Sequence, residues 1–174
     1  MKVVKFGGSS LASATQLEKV FNIVKEDENR QYVVVSAPGK RNAEDTKVTD
    51  ALIKYYKEYT NGKDTSQSQE WIINRYRSIT EDLELNEEII EEIARDIMSL
   101  ATLPKSDNTF LYDTFLAAGE NNNAKLIAAY FVKKGLEAKY IHPKDAGIFV
   151  TSEPCNARIL PSSYDKIEEL RNHN

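Results

Sequence analysis

The amino-acid sequence predicts an α/β fold with a largely parallel sheet flanked by helices. Two short apolar runs rich in β-branched residues, KVVKF at 2–6 and YVVV at 32–35, are typical of buried strands. Between them, apolar residues recur every three or four positions from Leu11 to Val24, which is the spacing of an amphipathic helix. A strand, a helix and a second strand within about 35 residues make a βαβ unit with parallel strands.

The composition excludes several classes of protein. The 174 residues include 23 Lys or Arg and 27 Asp or Glu, so the net charge is −4 and we expect no nucleic-acid partner. The single cysteine, Cys155, excludes an internal disulfide and a multi-cysteine metal site. No apolar run reaches the ~18 residues of a membrane span, and the N-terminus lacks a secretory apolar region. We therefore expect a cytoplasmic protein, not bound to a membrane, with one domain or one lobe of a larger one.

The rest of the chain predicts mainly helices. Residues 46–103 predict a helical insertion, in which the segment 66–100 is wholly helical. Short apolar runs predict a further parallel strand at 138–141 and another candidate strand at 147–150. A final helix is expected from Pro161 to Leu170, with the proline near its first turn.

The turn after the first strand, Lys5-Phe6-Gly7-Gly8-Ser9-Ser10, is the first candidate site. Glycines let the backbone approach a ligand closely, and N–H groups at a helix N-terminus favour an anion such as phosphate. Lys5 adds a positive charge that could neutralise a phosphoryl group during transfer. Ser9 or Ser10 is expected to cap the following helix. The alternative is a plain turn with an exposed lysine, and the spacing alone does not decide between them.

The second candidate site is the polar turn Ser36-Ala37-Pro38-Gly39-Lys40, together with Thr49-Asp50 at the start of the helical insertion. In open parallel sheets, ligands bind outside the carboxyl ends of the strands. Both turns lie at such ends, so we expect them to face one crevice. The alternative interpretation is a mobile polar loop.

The third candidate site is Gly119-Glu120, where a glycine interrupts the helical pattern of residues 109–134. Glycine costs stability in a helix, which indicates a packing or functional reason for it. Glu120 could accept a substrate ammonium, or it could be an ordinary solvated glutamate. The run Asn121–Asn123 predicts the start of a new helix. His142 has no carboxylate or cysteine at metal-ligand spacing, so we predict no metal ligands in the chain.

Taken together, these motifs resemble those of the aspartate kinases, within the amino-acid kinase family. Residues 5–10 resemble the KFGG[TS]S motif of that family, and 33–37 resemble the strand and serine turn that follow it. The other similar segments are 48–52, 115–120, 143–147 and 156–161. The resemblance covers essentially the whole chain. Acetylglutamate, uridylate and carbamate kinases share the fold, but their opening motifs differ.

The resemblance implies ATP-dependent phosphorylation of the L-aspartate side-chain carboxylate to 4-phospho-L-aspartate, the first step toward lysine, threonine and methionine. ATP would bring Mg²⁺, and the complete enzyme would be a homo-oligomer. The phosphoryl group would be bound by the first turn, through Lys5, Gly7, Gly8 and Ser9, with Lys5 as the catalytic residue. Three residues would bind aspartate: Ser36, Thr49 and, at its α-ammonium, Glu120.

The chain departs from the family pattern in two ways. Family members are longer, with a GGSD-type motif in a nucleotide-binding half and with ACT regulatory modules, whereas Gly7-Gly8 is the only adjacent glycine pair here. Cys155 stands where the family pattern has glycine. We therefore expect residues 1–174 to be the N-terminal, amino-acid-binding lobe, inactive alone. The alternatives are a non-catalytic fragment that binds aspartate or phosphate weakly or serves assembly, and another member of the family.

Overall fold

The structure is a computed structural model that describes residues 1–106 and 109–172. The predicted βαβ unit lies at the N-terminus of the chain. Strand β1 spans Lys2–Phe6 and pairs in parallel with strand β2, which spans Arg30–Val35. Helix α1, Ala14–Lys25, connects them. The α/β fold class and the parallel pairing of the first two strands are thus confirmed.

The two faces of this sheet differ in burial, because side chains alternate along each strand. The inward face packs against the apolar core through Val4, Phe6, Val33 and Val35. On the outward face, Val3 and Val34 are exposed. Lys5 lies opposite Val34 in the strand register, so its side chain leaves the sheet from the outward face.

Helix α1 begins later than the sequence predicts. A 3₁₀ turn, Gly8–Leu11, takes up the residues that follow β1. The side chain of Ser13 then caps α1 by accepting a hydrogen bond from the Gln16 N–H at 3.4 Å. The expectation that Ser9 or Ser10 caps the helix was wrong, because both residues belong to the 3₁₀ turn.

The helical insertion is confirmed, since residues 46–103 are all described and contain no strand. Its elements are α2 (Val48–Thr60), α3 (Ser66–Asp82), α4 (Glu87–Ser99) and a short 3₁₀ turn (Leu100–Thr102). The segment 66–100, predicted as wholly helical, is helical except at residues 83–86 between α3 and α4. The chain turns between α3 and α4, where Glu84 takes the left-handed conformation with φ of 51°.

Helix α5 is continuous from Leu111 to Lys133. The predicted interruption at Gly119 and the predicted helix start at Asn121–Asn123 were both wrong, because these residues lie inside α5. Gly135 follows the end of the helix with φ of 87°, as expected for a glycine that terminates it.

The core of residues 1–138 lies between α5, the inward face of the sheet and α1–α4. Its largest fully buried side chains come from every one of these helices and include Leu17, Leu52, Ile72, Ile93, Phe115 and Leu126. Tyr55 of α2 meets Phe115 of α5 edge to face, with ring centroids 4.9 Å apart. This packing fixes α2 and α5 beside the carboxyl ends of the strands.

Residues Lys139–Asn174 form a separate compact unit. The predicted strand at 138–141 is not formed, and 147–150 contributes only one antiparallel bridge, between Val150 and Ile159. Apolar runs of this kind become strands only where a partner strand satisfies their backbone groups. The sheet of the described residues consists of two strands, β1 and β2.

The final helix, α6, spans Ser162–Asn172 and confirms the helix expected after Pro161. In the turn before it, Cys155 has φ of 59°, in the left-handed region that favours glycine. Cysteine carries a steric cost in this conformation that glycine, the residue of the family pattern noted above, would not carry.

The packing of Gly119 generates a stability prediction. A Cβ there would lie 2.9 Å from Ala37 Cβ and 2.9 Å from Leu52 Cδ1. We expect Gly119→Ala to lower the free energy of unfolding by about 1–2 kcal/mol, because overpacking outweighs the gain in helix propensity. Urea denaturation of the chain measures this change. Leu52→Val removes the clashing methyl. The double variant should therefore lose less stability than the sum of the losses of the two single variants.

The control is Ala117→Gly at an exposed position of the same helix, which should cost about 1 kcal/mol from propensity alone. A Gly119→Ala chain as stable as the unmodified one would contradict the close contact between α5 and the second turn.

Candidate functional site

The turns that follow β1 and β2 contact each other through their backbones. The Gly39 N–H donates a hydrogen bond to the Gly8 carbonyl at 2.8 Å. A Cβ on Gly39 would lie 2.5 Å from the Gly8 carbonyl carbon, and a Cβ on Gly8 would lie 2.9 Å from the Ala37 carbonyl oxygen. Only glycine therefore fits at either position. The structure places the two turns together, as the sequence predicts.

The first turn leaves its backbone accessible. Gly7 is exposed, and no heavy atom of the described residues beyond its chain neighbours lies within 4 Å of where its Cβ would be. Lys5 and Ser9 on either side of it are exposed as well. An anion could therefore approach this backbone closely, beside one ammonium group and one hydroxyl.

The second turn carries Ser36 and leads into the helix that carries Thr49. The Ser36 N–H donates to the Phe6 carbonyl at 3.2 Å, which continues the strand pairing by one residue. The Val48 N–H donates to the Pro38 carbonyl at 3.1 Å, which places the N-terminus of α2 against the second turn. Ser36 and Thr49 are both half-buried. The structure thus brings these two hydroxyls to one edge of the sheet.

Glu120 lies at the same edge and is exposed. Its neighbour Gly119 packs against Ala37, which is two residues beyond the end of β2. Glu120 is therefore next to the carboxyl end of the sheet and not beneath it. Lys5 reaches that edge from the outward face of the sheet, whereas α5, which carries Glu120, packs on the inward face. That the side chains of Lys5 and Glu120 meet at the edge stays a prediction.

A buried tyrosine fixes the helix at Gly119. The Tyr76 hydroxyl donates to the Gly119 carbonyl at 2.6 Å. Burial raises the pKa of Tyr76 far above its ordinary value, and this effect outweighs the nearby positive charge of Arg75, which lowers the pKa. The hydroxyl therefore remains protonated and continues to donate.

Arg75 of α3 is a site residue that the sequence interpretation missed. Its side chain is only 2% exposed. Its Nη2 donates to the Ala12 carbonyl at 2.9 Å and to the Gly39 carbonyl at 2.8 Å, while Nη1 lies 3.3 Å from Asp45 Oδ2. One guanidinium thus connects the chain after the first turn, the second turn and the loop that follows it.

Asn123 of α5 is the second missed residue. It is fully buried, and its Nδ2 donates to the Ser36 carbonyl at 2.6 Å. A signal for both residues is present in the sequence, because each lies on the apolar stripe of its helix. Arg75 follows Ile72 by three residues, and Asn123 precedes Ile127 by four. A polar side chain on such a stripe needs a buried partner.

Asp45 carries the negative charge beside Arg75. It also accepts from Arg41, at 2.8 Å from Nε, 3.0 Å from Nη2 and 2.9 Å from the backbone N–H. These hydrogen bonds, led by that of the Arg41 side chain, hold the pKa of Asp45 well below its usual range. Burial lowers the pKa of Arg75, but an arginine stays protonated at neutral pH. The cluster of Arg41, Asp45 and Arg75 therefore contains two positive charges and one negative charge.

This cluster predicts a pH-dependent contribution to stability. We expect Asp45→Asn to lower the free energy of unfolding by about 3 kcal/mol at neutral pH, because it leaves a buried arginine without its carboxylate. The Asp45 pKa is lower in the folded than in the unfolded chain. Its stabilisation is therefore complete above about pH 5 and is lost as the pH falls through the lowered folded pKa.

Urea denaturation of both chains from pH 7 down to pH 3 checks this. The difference in unfolding free energy should be constant at first and then shrink toward acid pH. As a control, Glu91→Gln removes an exposed carboxylate that pairs with Arg95, and it should change little. A difference that grows as the pH falls would contradict the assignment.

Two further properties bear on the kind of site. Among residues 1–106 and 109–172, no group of three or more His, Cys, Asp or Glu side chains could hold a metal ion. No described helix is both long enough and apolar enough to cross a membrane. The residues placed near the edge where the two turns meet carry backbone amides, hydroxyls, an ammonium group and a carboxylate.

The fold corresponds to that of a known family. The sequence model of the amino acid kinase family matches residues 1–174. The chain belongs to the amino acid kinase family, which confirms the resemblance at the level of the family.

Within that family, similar proteins are aspartate kinases. The chain is 53% identical to aspartokinase 3 of Bacillus subtilis over 171 residues, which are 98% of this chain and 38% of the relative. The crystal structure of aspartate kinase from Clostridium acetobutylicum matches with a TM-score of 0.73 and 31% identity, over 96% of this chain and 35% of that one. The fold also matches E. coli aspartokinase III in complex with aspartate and ADP, with a TM-score of 0.76, 21% identity, and coverage of 98% and 37%.

The chain thus spans little more than a third of the length of these relatives, between 35% and 38%.

Proposed function

We propose that this chain is the aspartate- and phosphoryl-binding lobe of an aspartate kinase, which phosphorylates the side-chain carboxylate of L-aspartate with ATP. The observation that carries the proposal is the Gly8–Gly39 contact, which joins the two turns at one edge. The 53% identity to a bacterial aspartokinase supports the choice of substrate. So does the fold match to an aspartokinase bound to aspartate and ADP.

In this proposal, Lys5 is the catalytic residue. Its ammonium stabilises the negative charge on the γ-phosphoryl oxygens as the group moves from ATP to aspartate and ADP leaves. The backbone N–H groups and hydroxyl of the first turn, at Gly7, Gly8 and Ser9, bind the same oxygens. The exposure of Gly7 supports this role, because a phosphoryl group can reach the backbone there without displacing a side chain.

The acceptor would lie between the second turn and α5. Ser36 and Thr49 position the aspartate, and Glu120 binds its α-ammonium. A side-chain carboxylate oxygen attacks the γ-phosphorus of ATP. The bond from that phosphorus to the β–γ bridging oxygen breaks, ADP leaves with that oxygen, and an acyl phosphate forms. The attacking carboxylate is already ionised at neutral pH, so the reaction needs no general base.

The rest of the enzyme belongs to the same proposal. The nucleotide half and the ACT regulatory modules would come from polypeptide outside residues 1–174. ATP would enter with Mg²⁺, but the described residues do not fit an ion site, so no step is assigned to the ion. The cytoplasmic location, the homo-oligomer and the role in lysine, threonine and methionine synthesis remain predictions.

The chain spans little more than a third of the length of its relatives, which favours a second candidate function: residues 1–174 alone bind ligands without catalysing turnover. We expect the chain alone to phosphorylate aspartate at no measurable rate, because alignment of donor and acceptor supplies about 7–11 kcal/mol of barrier reduction. A chimera in which residues 1–174 replace the matching segment of Bacillus subtilis aspartokinase 3 should be active. A coupled assay of ADP release that depends on aspartate measures both proteins.

Turnover by the purified chain alone would contradict the need for a second half. A folded chimera that cleaves ATP with another acceptor but not with aspartate would contradict the substrate.

Lys5 and Glu120 should give different kinetic signatures in that chimera. Lys5→Ala should lower kcat by about 100- to 1,000-fold with little change in the aspartate KM, because the charge is needed most in the transition state. Glu120→Ala should raise the aspartate KM by about 30-fold or more, because a substrate ammonium loses its carboxylate partner. Steady-state kinetics at varied aspartate and ATP separates the two effects.

The matched controls are Lys19→Ala and Glu81→Ala, which remove one exposed charge of each sign from the helices. Both should leave kcat and KM unchanged. The same signature for Lys5→Ala and Glu120→Ala would refute the separate roles assigned to these residues.

A further inference from the structure

We propose that Arg75 is a positioning residue that holds the phosphoryl-binding turn and the aspartate-binding turn in register, an inference that rests on the proposed function. Its Nη2 donates to two carbonyls at once, Ala12 at 2.9 Å and Gly39 at 2.8 Å. Ala12 lies two residues after the first turn, and Gly39 is the next-to-last residue of the second turn. A single rigid group therefore fixes the distance between the chain that leaves the first turn and the end of the second turn.

The second turn is fixed at its near end as well. Asn123 donates to the Ser36 carbonyl at 2.6 Å, and the Ser36 N–H donates to Phe6 at 3.2 Å. A turn that is bound at one end can rotate about it, whereas a turn bound at both ends has one orientation. Asn123 and Arg75 bind opposite ends, so together they fix the orientation of the second turn.

The choice of arginine fits this role. The guanidinium is a planar fork that can donate in several fixed directions, which the ammonium head of lysine cannot do. Burying its charge is costly, and Asp45 at 3.3 Å from Nη1 compensates it. The contacts of Arg75 are with backbone carbonyls and Asp45, so it acts on the reaction through the turns and not by touching substrate.

The expected kinetic consequence is specific. Lys5 and Ser9 belong to the first turn and Ser36 to the second, so the register of the turns sets the alignment of phosphoryl donor and acceptor. A displacement of about 1 Å between reacting groups can cost about 100-fold in rate. Each ligand still meets an intact turn, so its binding should change far less.

The first arm of the test uses hydrogen exchange of individual amides in the chain as it stands. The Gly39 amide, which donates to Gly8, reports the contact between the turns. Arg75→Met should speed its exchange by at least tenfold and leave the amides of α4 unchanged. Arg75→Lys, which keeps the charge, should also speed exchange of the Gly39 amide. It replaces Arg75→Met in the test if that variant fails to fold. Arg95→Met, at an exposed pair, is the matched control.

The second arm measures kcat and KM in the chimera with Bacillus subtilis aspartokinase 3. Arg75→Met or Arg75→Lys should lower kcat about 100-fold, with the KM values for aspartate and ATP within threefold. Ile93→Ala, a buried change in α4, controls for lost stability and should leave kcat nearly unchanged at a temperature where all variants are folded.

Two results would overturn the proposal: a Gly39 amide that stays as protected as before, or a loss of kcat no larger than that of Ile93→Ala. If the unmodified chimera does not phosphorylate aspartate, the proposed function fails. Hydrogen exchange then still decides whether Arg75 fixes the register of the two turns.

Discussion

The contact between the backbones of Gly8 and Gly39 is the constraint on which the rest of the structure depends. It sets how closely the ends of β1 and β2 approach, because the turn after each strand touches the other turn directly. Two helices start from this point: α1 follows the first turn, and α2 begins where Val48 donates to Pro38. An added side chain at either glycine would have to move a strand or a helix, so the geometry of the edge and the path of the chain are set together.

Apolar burial alone would not define that edge. The core places α2, α3 and α5 beside the strands, but a hydrophobic contact has no direction and tolerates small shifts. Three buried donors, Arg75, Tyr76 and Asn123, each donate to a backbone carbonyl there. Hydrogen bonds of this kind are directional, and a buried carbonyl left without one is costly. The core thus determines which elements meet, and the buried donors determine how they are oriented.

The sequence predicts the elements whose signal is local. The β-branched runs of β1 and β2, the spacing of α1 and the absence of alternation in 46–103 each indicate one structure, and each is found. Gly119 misleads because glycine has low helix propensity, whereas its place is set by Ala37 and Leu52, which are distant in sequence. The run at 138–141 is apolar enough for a strand, but a local pattern does not show whether a neighbouring strand will pair with it, and no strand forms there. Arg75 is found only by noticing that a charge lies on an apolar stripe.

The hydrogen bond between Ser36 and Asn123 joins residues 87 positions apart, and this has a consequence for synthesis on the ribosome. The second turn leaves the ribosome well before the amide that fixes it, and α2, α3 and α4 emerge in between. Closing so long a loop costs entropy that only later contacts repay. The helical insertion is therefore translated before the amide that fixes the second turn, and the edge of the sheet takes its final shape only after α5 has been translated and has docked.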